Sequence, residues 1–292
     1  MLSLSKDNYQ TVEIVTSGNA ESVSVITHND IPNRRLILKE FLDFDSFSLE
    51  KYTKELFSYQ HPKIFYTPRL YAYNNSRKVL VIDFVEHITI SPESLNSHIP
   101  SILSMLRAFH NSDSDISFPL SLSKTYLPEE RIRRVQKHDL ARVCPTNETK
   151  SCVLDFLHSP TSDRLVPSHG DFHIRNVLFS TTKDYFFIDW GLARYASPNF
   201  DLGFFAYKTS MGQYMPRLSI LEINELLNNL CRFYKDTSRK EIVIYFIYCM
   251  LMDFYWALEY KEKFSDDDYN TIITNIRDFF ANFETNLKFI CS

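Results

Sequence analysis

Glycine is scarce, with five residues in a chain of 292. That excludes collagen-like and glycine-rich repeat architectures, and it makes each glycine a candidate for a special backbone position. Cysteine is equally sparse. Cys144, Cys152, Cys231, Cys249 and Cys291 are odd in number, widely spaced and form no C-x-x-C pair. Neither a disulfide framework nor a zinc site is expected, and buried free thiols in a reducing compartment are. Basic charge is not in excess: 32 Lys+Arg face 36 Asp+Glu, a formal charge of −4, which speaks against a nucleic-acid partner. The first ten residues include Lys6 and Asp7 and no apolar run, so no signal peptide is expected. The longest apolar stretch, 242–258, falls short of the roughly 20 residues of a bilayer span and carries Asp253. It reads as a buried helix of a cytoplasmic protein with no membrane partner. What is abundant is aromatic: 24 Phe and 17 Tyr, enough for a well-filled interior.

The first stretch alternates. Tyr9 to Thr16 and Ser22 to Thr27 have the period of two that marks strands, and Gly18 sits in the tight connection between them, free to take positive φ. Arg34 to Phe41 is a third strand with Lys39 near its end. A helix is expected from Phe47 to Gln60, with Leu49, Tyr52, Leu56 and Tyr59 at helical spacing and Pro62 as its stop. Arg69 to Tyr73 and Lys78 to Phe84 read as two more strands around an Asn74-Asn75-Ser76 turn. Beyond Ser91 helices dominate: Ile99–Asn111, Leu127–His138, Lys150–His158, then apolar faces over Ser219–Tyr234, Lys240–Tyr260 and Asp267–Phe289. Between them lies a strand-rich island from Val166 to Asp189.

That island holds the chemistry. It reads Ser168-His169-Gly170-Asp171-Phe172-His173-Ile174-Arg175-Asn176, then an apolar strand, a turn, and a return strand ending in Ile188-Asp189-Trp190-Gly191. A strand hairpin can bring Asn176 near Asp189. Hard oxygen ligands of this kind suit Mg²⁺, which takes one or two carboxylates together with substrate phosphates. Asp171 would remain free to orient a hydroxyl.

H-G-D-x-x-x-x-N followed by I-D-W resembles the aminoglycoside phosphotransferase/choline kinase superfamily, small-molecule kinases with a protein-kinase-like fold; Asp201-Leu202, a dozen residues further on, is similar to a pair common in that family. The resemblance implies an α+β, bilobal protein-kinase-like fold: a small antiparallel-sheet N-lobe with one main helix and a larger, mostly helical C-lobe. Residues 1–86 would form the nucleotide-binding lobe and the inter-lobe linker, and 87–292 the catalytic and acceptor-binding lobe. It implies Asp171 as the catalytic base, Asn176 and Asp189 as ligands of Mg²⁺, and ATP as phosphoryl donor, with GTP open. Lys39 would contact the α/β-phosphates, with Glu55 as its ion-pair partner and Glu50 as competitor. Gly18 would lie in the phosphate-covering hairpin, and backbone groups at Asp83 and Val85 would meet adenine. The chain departs from the protein-kinase pattern in having no G-x-G-x-x-G.

Three activities compete: a small-molecule kinase, a protein Ser/Thr kinase, and a non-catalytic nucleotide-binding pseudokinase. The run from Asp189-Trp190-Gly191 almost directly to Asp201-Leu202 leaves no room for a long activation segment. Intact Lys39, Asp171, Asn176 and Asp189 have no purpose in a scaffold. The acceptor is expected to bear an amine, as aminoglycosides, choline and thiamine-like alcohols do. Asp253, Trp256 and Tyr260 follow helical spacing; an unpaired buried carboxylate calls for a cation, and an indole face attracts one. An internal Arg or Lys would serve Asp253 equally well. The oligomeric state is left open.

Overall fold

The computed structural model describes residues 2, 4–17, 21–42, 45–112, 128–162, 164–212 and 214–291. The glycine-bearing connection at 18–20 lies outside them, and with it the expectation for Gly18. The chain divides into two compact units, Met1–Thr89 with Asn176–Ala193, and Ile90–Arg175 with Arg194–Ser292.

In the first unit the alternating segments form β1 (Tyr9–Ser17), β2 (Glu21–His28), β3 (Ile31–Phe41), β4 (Leu70–Asn74) and β5 (Val79–Asp83). They make one antiparallel sheet in the order β1-β2-β3-β5-β4. The continuous apolar run of β5 is explained by burial on both faces. Val79 and Val81 join Ile26, Leu36, Leu38 and Ala72 on one side. Leu80 and Ile82 join Phe41, Tyr52 and Tyr59 on the other. Tyr52 and Tyr59 come from α1 (Ser46–Gln60), which Asp45 caps by accepting from the Ser48 N–H at 2.7 Å. The face of α1 differs from the expected one: Leu49 is exposed, whereas Glu55 is fully buried. Lys39 explains the exchange, as described below.

After the short α2 (Pro62–Phe65) and β6 (His87–Ile88), the unit is completed by the late hairpin β8 (Val177–Ser180) and β9 (Tyr185–Phe187). β6 pairs with β8 and β8 with β9. Trp190, fully buried, packs edge-on against Phe65 at 4.8 Å, so the segment after β9 is clamped onto the helical side of this sheet.

The second unit holds α3 (Pro92–His110), α4 (Pro128–Gln136), α5 (Asn147–Leu157), α6 (Pro198–Ser210), α7 (Ile220–Tyr234), α8 (Arg239–Glu259), α9 (Asp266–Ala281) and α10 (Phe283–Cys291), with one two-stranded ladder of β7 (Val166–Ser168) and β10 (Arg194–Ala196). Several helices differ from the sequence reading. α3 begins well before Ile99 because Ser91 and Ser94 form a capping box, and Pro100 sits inside the helix. The stretch 267–289 is two helices, broken at Asn282. α6 carried no periodic signal because it is buried nearly all round. It lies so close to α8 that a Cβ on Gly203 would stand 2.6 Å from the Phe246 backbone nitrogen. α8 is the one described helix long and apolar enough to cross a membrane, and 72% of its most apolar window is buried within the protein.

Candidate functional site

In the first unit the pairing of β3 with β2 and β5 aims Lys39 at the helix α1. Its Nζ lies 2.5 Å from Glu55 Oε1, 3.1 Å from Glu21 Oε2 and 3.3 Å from Asp189 Oδ1. Glu50, the other candidate, instead pairs with Lys54 one turn along α1 at 2.8 Å. Burial alone would lower the pKa of the Lys39 ammonium. Asp189, then Glu55 and Glu21, outweigh that and hold it well above its ordinary value. A second lysine, Lys51, reaches Glu21 at 2.5 Å. The three carboxylates lie within 4.8 Å of one another, a spacing that needs positive charge at its centre, and Lys39 supplies it.

Asp189 stands at the turn after β9 with φ 62° and ψ 59°, the left-handed region that Asp tolerates better than most residues. Its side chain is 40% exposed, and its Oδ1 lies 3.3 Å from Lys39 Nζ. The hairpin links its neighbourhood to Asn176: the Ile188 N–H donates to the Asn176 carbonyl at 3.0 Å. Asn176 itself is buried. A part-exposed carboxylate and a carboxamide, both hard oxygen donors, fit Mg²⁺, which keeps waters and phosphate oxygens as its other ligands.

At the far end of β5, the Asp83 N–H is committed to the Arg69 carbonyl at 2.9 Å. The Val85 carbonyl meets His87 Nδ1 at 3.1 Å, while the Val85 N–H meets no acceptor among the described residues.

In the second unit the loop 169–173 leaves β7 and is held by Asp201, in the first turn of α6. Asp201 accepts from the His169 N–H at 2.7 Å and the Gly170 N–H at 3.0 Å. His110 Nε2 lies 3.1 Å away, and His110 Nδ1 faces the Tyr234 hydroxyl at 2.6 Å. Burial would raise the Asp201 carboxyl. The bond and charge of His110, then His169 and the Gly170 amide, overcome that and hold it below the usual carboxylate range. Gly170 takes φ +83°, where any side chain would strain the loop. The next residue, Asp171, is thereby presented on a rigid turn; its N–H donates to His169 Nδ1 at 3.4 Å, and His173 Nε2 lies 3.7 Å from its Oδ2.

The acceptor residues expected from the sequence each have partners of their own. Asp253 pairs with Lys208 at 2.7 Å and accepts from the Tyr207 hydroxyl. Its charge is therefore met from within, and the argument from an uncompensated carboxylate loses its basis. Trp256 is 43% exposed and packs edge-on against Phe264 at 4.8 Å. Glu21, Lys51 and Lys208 carried no motif in the sequence. Only the three-dimensional pairing brings the first two to Lys39 and the third to Asp253.

The sequence matches the phosphotransferase enzyme family over residues 12–227. No curated protein matches it. Among solved structures it is similar to a choline kinase from Cryptosporidium parvum Iowa II, with 12% identity, a TM-score of 0.66, and coverage of 98% of this chain and 91% of that one. A choline/ethanolamine kinase family protein from Mesorhizobium loti gives 16% identity, a TM-score of 0.61, and coverage of 96% and 92%. A macrolide 2'-phosphotransferase type I gives 16%, 0.63, and 90% and 89%.

Proposed function

Because the chain belongs to the phosphotransferase enzyme family, we propose that it uses ATP and Mg²⁺ to phosphorylate a hydroxyl of a small molecule. The observation that carries the nucleotide half is the Lys39–Glu55 contact, buried and 2.5 Å long, with Asp189 beside it in a left-handed turn. Glu55 fixes an ammonium whose charge is secure at neutral pH, so Lys39 can hold phosphate oxygens without swinging away. Asp189 and Asn176 would hold the metal, which neutralises charge on the phosphates when bound. The backbone at Asp83 and Val85 would meet the base, and ATP rather than GTP is the donor we favour.

Phosphoryl transfer has a loose transition state, so positioning and charge neutralisation account for most of its acceleration. Asp171 would accept the hydrogen bond of the acceptor hydroxyl and align its oxygen on the γ-phosphorus. As the O–P bond forms and the bond to ADP breaks, the hydroxyl proton passes to Asp171. The proton leaves late, so a carboxylate of ordinary basicity suffices.

An amine-bearing acceptor, the class expected from the sequence, retains one local observation, the partly exposed side chain of Trp256. The test of the function is ATP consumption measured over a panel of small alcohols and a protein substrate. Turnover with a small alcohol is the expected result; turnover with protein alone would overturn the reading.

A further inference from the structure

Beside Asp171 the second unit already contains a cation in an aromatic setting. Lys208 is buried, and its Nζ stands 5.4 Å from the ring centre of Phe204, 5.3 Å from that of Tyr207 and 5.6 Å from that of Tyr214. Asp253 closes the set at 2.7 Å. Three rings and one carboxylate are the surroundings in which an organic ammonium is bound. Here the protein's own side chain fills them.

The Tyr214 ring also faces the loop that carries Asp171. His173 lies against it with centroids 4.5 Å apart, and the Arg175 guanidinium sits over it at 4.7 Å. Arg175 is exposed and forms no ion pair with a described carboxylate. His173 is buried, and its Nδ1 has no partner among the described residues. The loop therefore places a guanidinium over an aromatic ring, four positions from Asp171, with a buried polar atom, unpartnered among the described residues, on the same loop. The planar fork of a guanidinium matches the paired oxygens of a carboxylate or a phosphate.

We propose that the acceptor is an alcohol carrying an anionic group, held by Arg175, and that Lys208 occupies the place a cationic acceptor would take. This rests on the kinase reading above and names the substrate class of the same site. It accounts for Lys208 and Arg175 together: one removes the attraction of the Asp253 region for amines, and the other puts a positive charge, met by no described carboxylate, on the loop that carries Asp171. On the alternative view Arg175 is a solvated side chain resting on a ring; the anion titration separates the two.

The experiment titrates the full chain by calorimetry with glycerol 3-phosphate, glycerate and choline, and in parallel with ATP and Mg²⁺. Binding of glycerol 3-phosphate or glycerate, at least tenfold tighter than choline, is the expected result. Which of the two binds better assigns phosphate or carboxylate as the anionic group. Arg175→Gln should weaken anion binding at least tenfold, and Arg175→Lys should restore part of it, because a lysine keeps the charge and loses the planar fork. Choline binding as tightly as either anion, no binding of either anion, or anion binding that Arg175→Gln leaves unaltered would each overturn the proposal. ATP binding without anion binding would fail this inference alone. Anion binding without ATP binding would contradict the kinase reading and leave the anion site standing.

Discussion

Lys39 Nζ and Glu55 Oε1 meet at 2.5 Å, joining β3 to a helix position that is fully buried. Removing one partner of a buried pair and leaving the other unmet costs about 3–5 kcal/mol; in Glu55→Gln the Lys39 ammonium keeps Glu21 and Asp189, so the loss should be smaller. Glu55→Gln should lower the melting temperature and raise the KM for ATP together. Lys39→Met should lower kcat by roughly two to three decades, the scale seen when one charge-stabilising group is removed. Steady-state kinetics with unchanged KM and kcat in both variants would deny the pair its role.

Asp171 is tested by Asp171→Asn. The carboxamide cannot take up the hydroxyl proton, so kcat should fall by about two to four decades while ATP affinity stays close to that of the wild type. An unaltered kcat would place the base elsewhere.

The depressed carboxyl of Asp201 links stability to pH. A group whose folded pKa lies below its unfolded value contributes stability that is fully present above the unfolded pKa and is lost as pH falls through the folded one. Urea denaturation should show Asp201→Asn less stable than the wild type at pH 7, by at least about 2 kcal/mol, since hydrogen bonds to a charged group are each worth roughly 1.5–3. The gap should narrow below the ordinary carboxylate value of 3.8. A gap independent of pH would contradict the ionised hydrogen-bonded carboxylate.

Gly203 is required by the approach of α6 to α8. In Gly203→Ala the new methyl would meet Phe246 backbone nitrogen and Tyr245 atoms at 2.6–2.7 Å. Overpacking of this kind costs about 1–3 kcal/mol, and calorimetry should show a melting temperature lower by several degrees.

Much of this was legible in the sequence, for identifiable reasons. The strands of the first sheet announce themselves because β1–β3 alternate and β5 is apolar from Val79 to Ile82. The residues proposed to hold the metal and align the acceptor stand in one continuous segment, so their spacing could be matched to a family motif. α6 was not legible, because a helix buried on every side has no period to read. Glu55 was proposed only through resemblance, since a fully buried carboxylate among polar helix residues looks like a solvated one until Lys39 is placed beside it. For Asp253 the sequence left a substrate amine and an internal Lys or Arg equally open, for the complementary reason. Its partner Lys208 lies far away in sequence on α6, and only the contact of α6 with α8 reveals that the carboxylate is already neutralised.

The claim that Lys39, Asn176 and Asp189 form a nucleotide-phosphate and metal site is tested most directly by a thermal-shift titration with ATP, with and without Mg²⁺. A ligand that binds only the native state adds roughly 2.7 kcal/mol of stability at a hundredfold excess over Kd. The wild type should show its full shift only when ATP and Mg²⁺ are both present, and Asp189→Ala should lose the metal-dependent part. An Asp189→Ala protein that responds to ATP and Mg²⁺ as the wild type does would contradict the account.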